Sequence, residues 1–195
     1  MEIIDITKNL FEAEVFKGDT VPTVNKRTDT KKGDDYTVSD IIMCVHNGTH
    51  IDAPNHVLTD GITVEKLNLN KCIGECLVTD TKNLIDKLKR NRKISNKILI
   101  KEGQIDADLA EKLIEKNVEL LGVEGLSIGD KTTHQILLMQ NVIVLENLQL
   151  SHVKKGSYFL IALPAKFDYL EAAPVRALLI KNGRIIQKKQ ALKND

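Results

Sequence analysis

The chain of 195 residues has no tryptophan, and its only aromatic side chains are three tyrosines and four phenylalanines. No apolar stretch approaches the roughly 20 residues that a helix needs to cross a bilayer, so we expect no membrane span. The N-terminal MEIIDITKNL carries acids early and lacks a basic segment followed by an apolar one, so no export signal is expected. These absences favour a cytoplasmic protein.

The sequence also lacks an excess of charge of either sign. It has 28 lysines and arginines against 27 aspartates and glutamates, a formal net charge of +1. This balance gives no reason to expect nucleic acid or an anionic membrane as a partner. The basic segment 181–195 is interpreted as a terminal strand and solvated tail. The length and a hydrophobic content of 42% predict one globular domain, 1–195, with a sizeable core.

Cysteine is scarce and odd in number. Cys72 and Cys76 are separated by three residues, and no second pair could complete a four-ligand zinc site. Cys44 lies within the apolar run IIMCV. We therefore predict three reduced, structural cysteines.

Strand-like and helix-like segments alternate along the chain, which favours an α/β domain with a substantially β core. Short β-branched or apolar runs predict strands at 2–7, 40–45, 74–81, 97–101, 118–123, 142–148, 156–164 and 175–180. Helices are predicted at 83–91, 106–117 and 130–141, with Asp106 as an N-cap.

The polar segment 17–37, KGDTVPTVNKRTDTKKGDDYT, is rich in turn-forming residues. It predicts a long irregular loop or a mobile arm. Long loops in compact domains are uncommon unless they are functional, so this arm is expected to cover a site or to reach a neighbouring subunit.

Three of the five histidines fall within one short stretch, HNGTHIDAPNH at 46–56. Imidazole nitrogens and a carboxylate are the usual ligands of zinc, manganese and iron(II). Gly48 and Pro54 argue against a helix here, and a strand end that runs into a tight turn lets His46 and His50 converge. The stretch predicts a metal or acid–base site, although one segment alone cannot complete it.

The remaining histidines are His134, in a predicted helix, and His152, in a polar segment. Glu146 follows His134 by twelve residues and ends an apolar strand, where a bare carboxylate needs a partner. Taken alone, a surface histidine and a strand-end acid near water explain His134 and Glu146 better than a metal does. His152 is interpreted as a surface residue.

The sequence resembles the cyclase family of metal-dependent hydrolases, which includes the bacterial-type kynurenine formamidases. The family pattern H-x-G-T-H-x-D-x-P-x-H is filled at every specified position by residues 46–56. A helix histidine followed twelve residues later by an acid in VLENL, and a C-terminal block with Leu-Pro and Ala-Ala-Pro-Val-Arg-Ala, also fit. The resemblance covers most of the chain, from the opening IIDIT onward.

The resemblance implies a binuclear site and a role for each residue. His46, His50 and Asp52 would bind one divalent ion, and Asp52 would bridge to a second. That second ion would also be held by His134 and Glu146, while His56 would be the catalytic acid/base. Two ions per chain are expected, zinc first, with manganese or iron(II) as alternatives.

The implied activity is hydrolysis of a C–N bond in a small amide by a metal-activated water, with an N-formyl aromatic amine as one substrate. A cyclic amide or ester substrate, or a non-catalytic metal- or ligand-binding member, is the alternative. Two features depart from the family. Glu124 and Gly125 alter the surroundings of Ser127, and few aromatics are available to grip a ring: Phe11, Phe16, Tyr36, Phe159, Phe167 and Tyr169.

The implied fold is an α/β domain of the swivelling β/β/α type. It has a β-barrel-like mixed sheet core with flanking helices. A homodimer or homotetramer is expected, with the arm at 17–37 as the segment that reaches the neighbouring subunit.

Overall fold

Two β-sheets and three α-helices make up the protein in the computed structural model, which describes residues 1–181. The strands are, in chain order, β1 Glu2–Asp5, β2 Thr23–Thr28, β3 Val38–Ile42, β4 His50–Asp52, β5 Ile73–Thr79, β6 Lys97–Ile100, β7 Leu120–Val123, β8 Ile143–Glu146, β9 Gly156–Ile161, β10 Ala172–Pro174 and β11 Leu178–Lys181. The helices are α1 Thr81–Lys89, α2 Ala107–Glu115 and α3 Lys131–Met139. The segment 182–195, most of the predicted terminal strand and tail, lies outside the described residues.

Nine strands form one mixed sheet in the order β1-β11-β9-β5-β6-β7-β8-β4-β10. The central strands β5 to β8 are parallel, because each is connected to the next by one of the three helices. The flanking strands pair antiparallel, and the sheet curls into a half-barrel. The predicted α/β fold with a barrel-like core is thus confirmed.

Each helix begins after an aspartate that caps it. The side chains of Asp80, Asp106 and Asp130 accept hydrogen bonds from backbone N–H groups three residues ahead, at 2.7–2.9 Å. The cap at Asp106 agrees with the sequence. The cap at Asp80 starts α1 two residues before the predicted bound of 83, within the segment predicted as the end of a strand.

The central strands are buried on both faces, so their side chains divide between two cores. Along β6, Ile98 and Ile100 pack under the helices, whereas Leu99 faces the other core. That second core lines the inside of the curl and includes Ile51 of β4. The short strand β4 is thereby fixed against the body of the protein.

All eight predicted strands overlap observed ones, but β2, β4 and β10 were not predicted. Two of them, β4 and β10, are only three residues long, and β10 ends in a proline. The strand predicted at 40–45 is Val38–Ile42 and ends earlier.

The prediction of an irregular segment at 17–37 was wrong for residues 23–28, which form β2, whereas 17–22 and 33–37 contain no helix or strand. Strands β2 and β3 pair antiparallel in a separate two-stranded sheet, with a 3₁₀ turn at Thr30–Lys32 between them. The six residues of β2 include one apolar side chain, that of Val24, so the sequence shows no strand-like alternation there.

The cysteines are free, as predicted. Cys72 and Cys76 are buried and Cys44 is partly buried. Burial raises the pKa of Cys72 to about 11 and that of Cys76 to about 12, so both thiols stay protonated and unreactive at neutral pH. Among residues 1–181, none of the helices is long and apolar enough to cross a membrane.

Candidate metal centre

The two halves of the predicted site meet because β4 pairs with β8. In this antiparallel pair, His50 lies directly opposite Glu146. Helix α3 precedes β8 and packs beside it, which carries His134 to the same place. Sheet pairing therefore brings together the segments 46–56 and 134–146, which are far apart in the sequence.

His46 lies in the turn just before β4, not in a strand. Gly48 has φ of +66°, a conformation that favours glycine, and the chain folds back there. The side chain of Asn47 accepts a hydrogen bond from the backbone N–H of Cys44 at 2.9 Å, which fixes the start of the turn. The rings of His46 and His50 consequently lie edge to face, with their centroids 5.0 Å apart.

Asp52 is fully buried at the centre of the cluster. Its oxygens lie 3.0 Å from Nδ1 of His46, 3.4 Å from Nε2 of His50 and 3.7 Å from Nε2 of His134. Neither oxygen has a partner of hydrogen-bond geometry within residues 1–181. Burial alone would raise the pKa of Asp52, but the facing rings of His46 and His50 hold it well below its usual range.

Backbone carbonyls fix the orientation of two imidazoles. Nδ1 of His50 is 2.9 Å from the carbonyl oxygen of Gly48, and Nδ1 of His134 is 2.9 Å from that of Asp130. A carbonyl can only accept, so both Nδ1 atoms carry hydrogen and both Nε2 atoms face the carboxylates. A histidine metal ligand is commonly oriented in this way.

Glu146 completes the buried part of the cluster. Its Oε1 accepts a hydrogen bond from the backbone N–H of Ile128 at 2.6 Å and lies 3.1 Å from Nε2 of His134. Its Oε2 lies 3.4 Å from Nε2 of His50. Burial tends to raise the pKa of Glu146, but the contact with His134 lowers it overall, so the carboxylate is ionised.

The carboxylates also raise the pKa values of the buried histidines. Burial lowers the pKa of His50, but Asp52 and Glu146 outweigh it and raise the value to about 10. In the same way Glu146, with the Asp130 carbonyl, raises the pKa of His134 to about 9. Without a metal, both imidazole rings are therefore protonated on both nitrogens and positively charged at neutral pH.

His56 lies at the edge of the cluster, in a 3₁₀ turn at Pro54–His56, and is exposed. Its ring centroid is 4.4 Å from that of His46 and 5.7 Å from that of His134. Partial burial lowers the pKa of His56, with the neighbouring His46 and His134 acting in the same direction against Asp52. The ring is neutral at pH 7 and able to accept a proton.

The donor atoms fit a divalent metal. Two sets of three residues each have donor atoms that lie within 4.8 Å of one another. The sets are His46, Asp52 and His56, and His50, Asp52 and Glu146. The unpartnered buried Nε2 of His50 and both oxygens of Asp52 are what a cation would satisfy, as judged within the described chain. These sets differ from the predicted ones, since they join His50 to Glu146 and place His56 beside His46.

A cavity of about 830 Å³ opens beside the cluster. Its walls include the aliphatic side chains of Leu58 and Leu126 and the charged side chains of Asp19 and Lys131. Phe16 is the one aromatic side chain among its lining residues in the described chain. Of the six aromatics suggested by the sequence, the other five do not line the cavity.

The structure brings all six predicted site residues together and leaves His152 exposed, as predicted. Two contributors were missed. Glu171 places Oε1 3.4 Å from Nε2 of His46, and the backbone carbonyl of Asp130 orients His134. Glu171 directly precedes the Ala-Ala-Pro segment of the C-terminal block, and this position could have identified it as a candidate. A contact made by a backbone carbonyl cannot be recognised from residue types.

The chain matches the model of the Cyclase family ("Putative cyclase") over residues 4–130. It is 33% identical to the kynurenine formamidase of Geobacillus thermodenitrificans, across 92% of this chain and 98% of that protein. A predicted metal-dependent hydrolase from Bacillus stearothermophilus aligns with a TM-score of 0.76 at 30% identity, across 91% and 97%. An isatin hydrolase bound to thioisatinate shares the fold, with a TM-score of 0.77 at 20% identity and 91% of each chain. The motif at 46–56, the site that it forms and these similarities over nearly the whole chain show that the protein belongs to the cyclase family.

Proposed function

We propose that this protein is a metal-dependent hydrolase that cleaves the C–N bond of a small amide. The observation that carries this proposal is the buried carboxylate of Asp52. Its two oxygens face the histidines without hydrogen-bond partners in the described chain, beside a cavity large enough for a small molecule. A structural histidine cluster has no need of an open cavity.

The proposed ligands are His46, His50, Asp52, His134 and Glu146. Asp52 belongs to both donor sets, so it is proposed to bridge two ions, with zinc as the first choice. Divalent cations held there supply the Lewis acidity that polarises a carbonyl and activates water.

His56 is proposed to move the proton. It is neutral at pH 7, lies at the cavity wall and contacts the cluster without being buried in it. As water adds to the amide carbonyl, His56 takes a proton and then returns it to the leaving nitrogen. The C–N bond breaks, and a carboxylic acid and an amine are formed from amide and water.

We propose an N-formyl aromatic amine as the substrate class, after the relative named kynurenine formamidase. Phe16, Leu58 and Leu126 provide an apolar wall for one aromatic ring. Cyclic amides are the alternative class, because the related isatin hydrolase is named for one.

Metal removal tests the proposal directly. Dialysis against a chelator is expected to abolish hydrolysis of an N-formylaniline, and stoichiometric zinc or manganese is expected to restore it. Metal analysis of the reconstituted protein should give about two ions per chain. Activity that survives complete metal removal would refute the proposal, and a panel of cyclic amides and esters assayed in parallel identifies the preferred bond.

The affinity of the site for metal is expected to increase with pH and to keep increasing well above pH 7. His50 and His134, with pKa values of about 10 and about 9 without metal, must each lose a proton from Nε2 to bind an ion. Competition between metal and protons therefore persists until the pH passes both values. Titration calorimetry in buffers of different ionisation enthalpy should show proton release at pH 7. An affinity that levels off near pH 7 would contradict the raised values.

We also propose a homodimer or homotetramer assembled through the hairpin of β2 and β3. Val24 and Ile41 pair across it on one face and are 54% and 55% exposed. An isolated two-stranded hairpin is marginally stable in water, so these side chains need cover from a second subunit.

An aspartate at both Val24 and Ile41 is expected to shift the protein to monomer, because it places charge in the proposed interface. Light scattering coupled to size-exclusion chromatography measures the mass. Asn25→Lys adds a charge to the other face of the same hairpin, opposite Asp40, and should leave the assembly intact. A monomeric wild-type protein would count against the proposal.

We place the protein in the cytoplasm. Its three free cysteines, two of them buried, are compatible with a reducing compartment. Fractionation of the native host, with the activity measured in each fraction, tests this assignment.

A further inference from the structure

Lys8 lies just after β1, outside the motif at 46–56, yet it contacts three segments that build the site. Its ammonium donates to the side-chain oxygen of Asn147 at 2.5 Å and to the backbone carbonyl of Glu124 at 3.0 Å. Its backbone N–H donates to the hydroxyl of Thr49 at 2.9 Å. One residue of the N-terminal segment thus joins three distant parts of the chain.

Each contacted residue is next to a proposed ligand or to the cavity. Thr49 directly precedes His50, and Asn147 directly follows Glu146. Glu124 begins the loop 124–130, whose Ile128 donates its backbone N–H to Glu146 at 2.6 Å. The three contacts of Lys8 therefore converge on the backbone that carries the two facing ligands of β4 and β8.

Two of the three contacted residues, Thr49 and Asn147, are buried. Thr49 is 3% exposed and donates its hydroxyl hydrogen to the backbone carbonyl of Asn147 at 2.7 Å. Asn147 is fully buried, has φ of +58°, and donates its backbone N–H to Gly125 at 2.9 Å. Asparagine adopts this left-handed conformation readily, and here it turns the chain directly after Glu146.

Lys8 is held by neutral oxygens. Within residues 1–181 no carboxylate forms an ion pair with its ammonium. Burial lowers the pKa of Lys8, although the more distant carboxylates of Glu124 and Glu14 act in the opposite direction. Partly burying a lysine without a paired carboxylate has a cost, which the hydrogen bonds to Asn147 and Glu124 offset. A lysine that only interacted with solvent at the surface would not need these two hydrogen bonds to protein oxygens.

We propose that Lys8 is a positioning residue that holds His50 and Glu146 at the separation that metal binding requires. This inference rests on the proposed metal site. The ammonium fixes the chain after Glu146 and the start of the loop 124–130, while the Thr49 hydroxyl ties the chain before His50 to the same asparagine. Lys8 touches neither metal nor substrate, so it acts through the ligands.

Lys8→Met tests the inference, because it removes both ammonium hydrogen bonds and keeps the length of the side chain and the backbone bond to Thr49. We expect zinc affinity, measured by competition with a chromogenic chelator, to fall by about 10-fold or more, the range seen for residues that orient ligands. The visible spectrum of the cobalt-substituted protein should change, since it reports ligand geometry. Lys8→Arg should recover most of the affinity.

Lys101 provides the matched control. It is partly buried, and its ammonium also donates to two oxygens, the backbone carbonyls of Ser151 and Val153, at 3.3 and 2.5 Å. These carbonyls belong to a connection that carries none of the proposed ligands. Lys101→Met should lose comparable thermal stability and keep the zinc affinity and cobalt spectrum of the wild type.

Zinc affinity within twofold of wild type in Lys8→Met, with an unchanged cobalt spectrum, would overturn the inference. If that variant does not fold, Lys8→Gln and Thr49→Val decide by the same two measurements, and wild-type values in both would overturn it. A wild-type protein that binds no metal would instead refute the proposed function, so the two failures are distinguishable.

Discussion

His56→Ala is expected to lower kcat by about 10²–10⁴-fold, the usual contribution of a positioned acid or base, while the protein keeps its metal. His56 is exposed at the wall of the cavity, whereas the other five residues of the cluster, Asp52 among them, are buried or partly buried. Removing its ring leaves the donor atoms of those five in place. The measurements are steady-state kinetics with an N-formylaniline and metal content after gel filtration.

His152→Ala is the control for this variant, because His152 is an exposed histidine outside the site. It should retain both metal and turnover. If His56→Ala instead lost one ion, His56 would be a metal ligand together with His46 and Asp52, because its ring nitrogen already lies close to their donor atoms. Full turnover in His56→Ala would remove it from the mechanism altogether.

The acid limb of the pH–rate profile provides a second check on His56. Partial burial and the nearby His46 and His134 lower its pKa below the ordinary value of a histidine, and a bound cation acts in the same direction. The neutral base is therefore present at pH 7 and is lost only as the pH falls below that ordinary value. In wild type kept saturated with metal at every pH, so that metal loss does not contribute, kcat/KM should decline at a pH below 6.5, the reference value for histidine. A decline centred above it would contradict the assignment.

Asp52→Asn is expected to remove metal from the protein, with a loss of affinity greater than the roughly 100-fold upper range for residues that only orient ligands. The substitution preserves size but removes the one carboxylate that belongs to both donor sets. It also removes a negative charge that stabilises bound cations in a buried site. Hydrolysis should fall to background even with added zinc.

Asp80→Asn is the matched control for Asp52→Asn. Asp80 is also a buried aspartate, 7% exposed, but it caps α1 away from the cluster. Asparagine caps a helix about as well as aspartate, so the substitution removes mainly the ion pair with the half-exposed Lys155. It should cost at most about 1 kcal/mol of stability and leave metal content unchanged. If Asp52→Asn retained two ions per chain, the proposed bridging role would be wrong.

Local sequence was enough to predict the α/β alternation and most of the main sheet. Apolar runs bounded by turn residues predicted eight strands that overlap observed ones, and Asp106 marked the start of α2. Strand β2, and with it the hairpin to β3, was missed because β2 is exposed on both faces, so burial does not impose a clear alternation on it. Strand β4 was missed because three residues carry too little periodicity, and its pairing with β8 depends on partners far along the chain.

The sequence by itself determined the kind of site: three histidines and an aspartate around a glycine turn are donors of the type that divalent metals bind, whatever the fold. It did not determine that His134 and Glu146 belong to the same site, except through the family resemblance. Only the tertiary structure decided this, because the β4–β8 register sets His50 opposite Glu146 and α3 packs beside β8. The contacts of Lys8 and the carbonyl of Asp130 that orients His134 have the same origin. Such contacts join residues that are far apart in the sequence, and they depend on how the backbone folds. The identity of neighbouring residues therefore does not predict them.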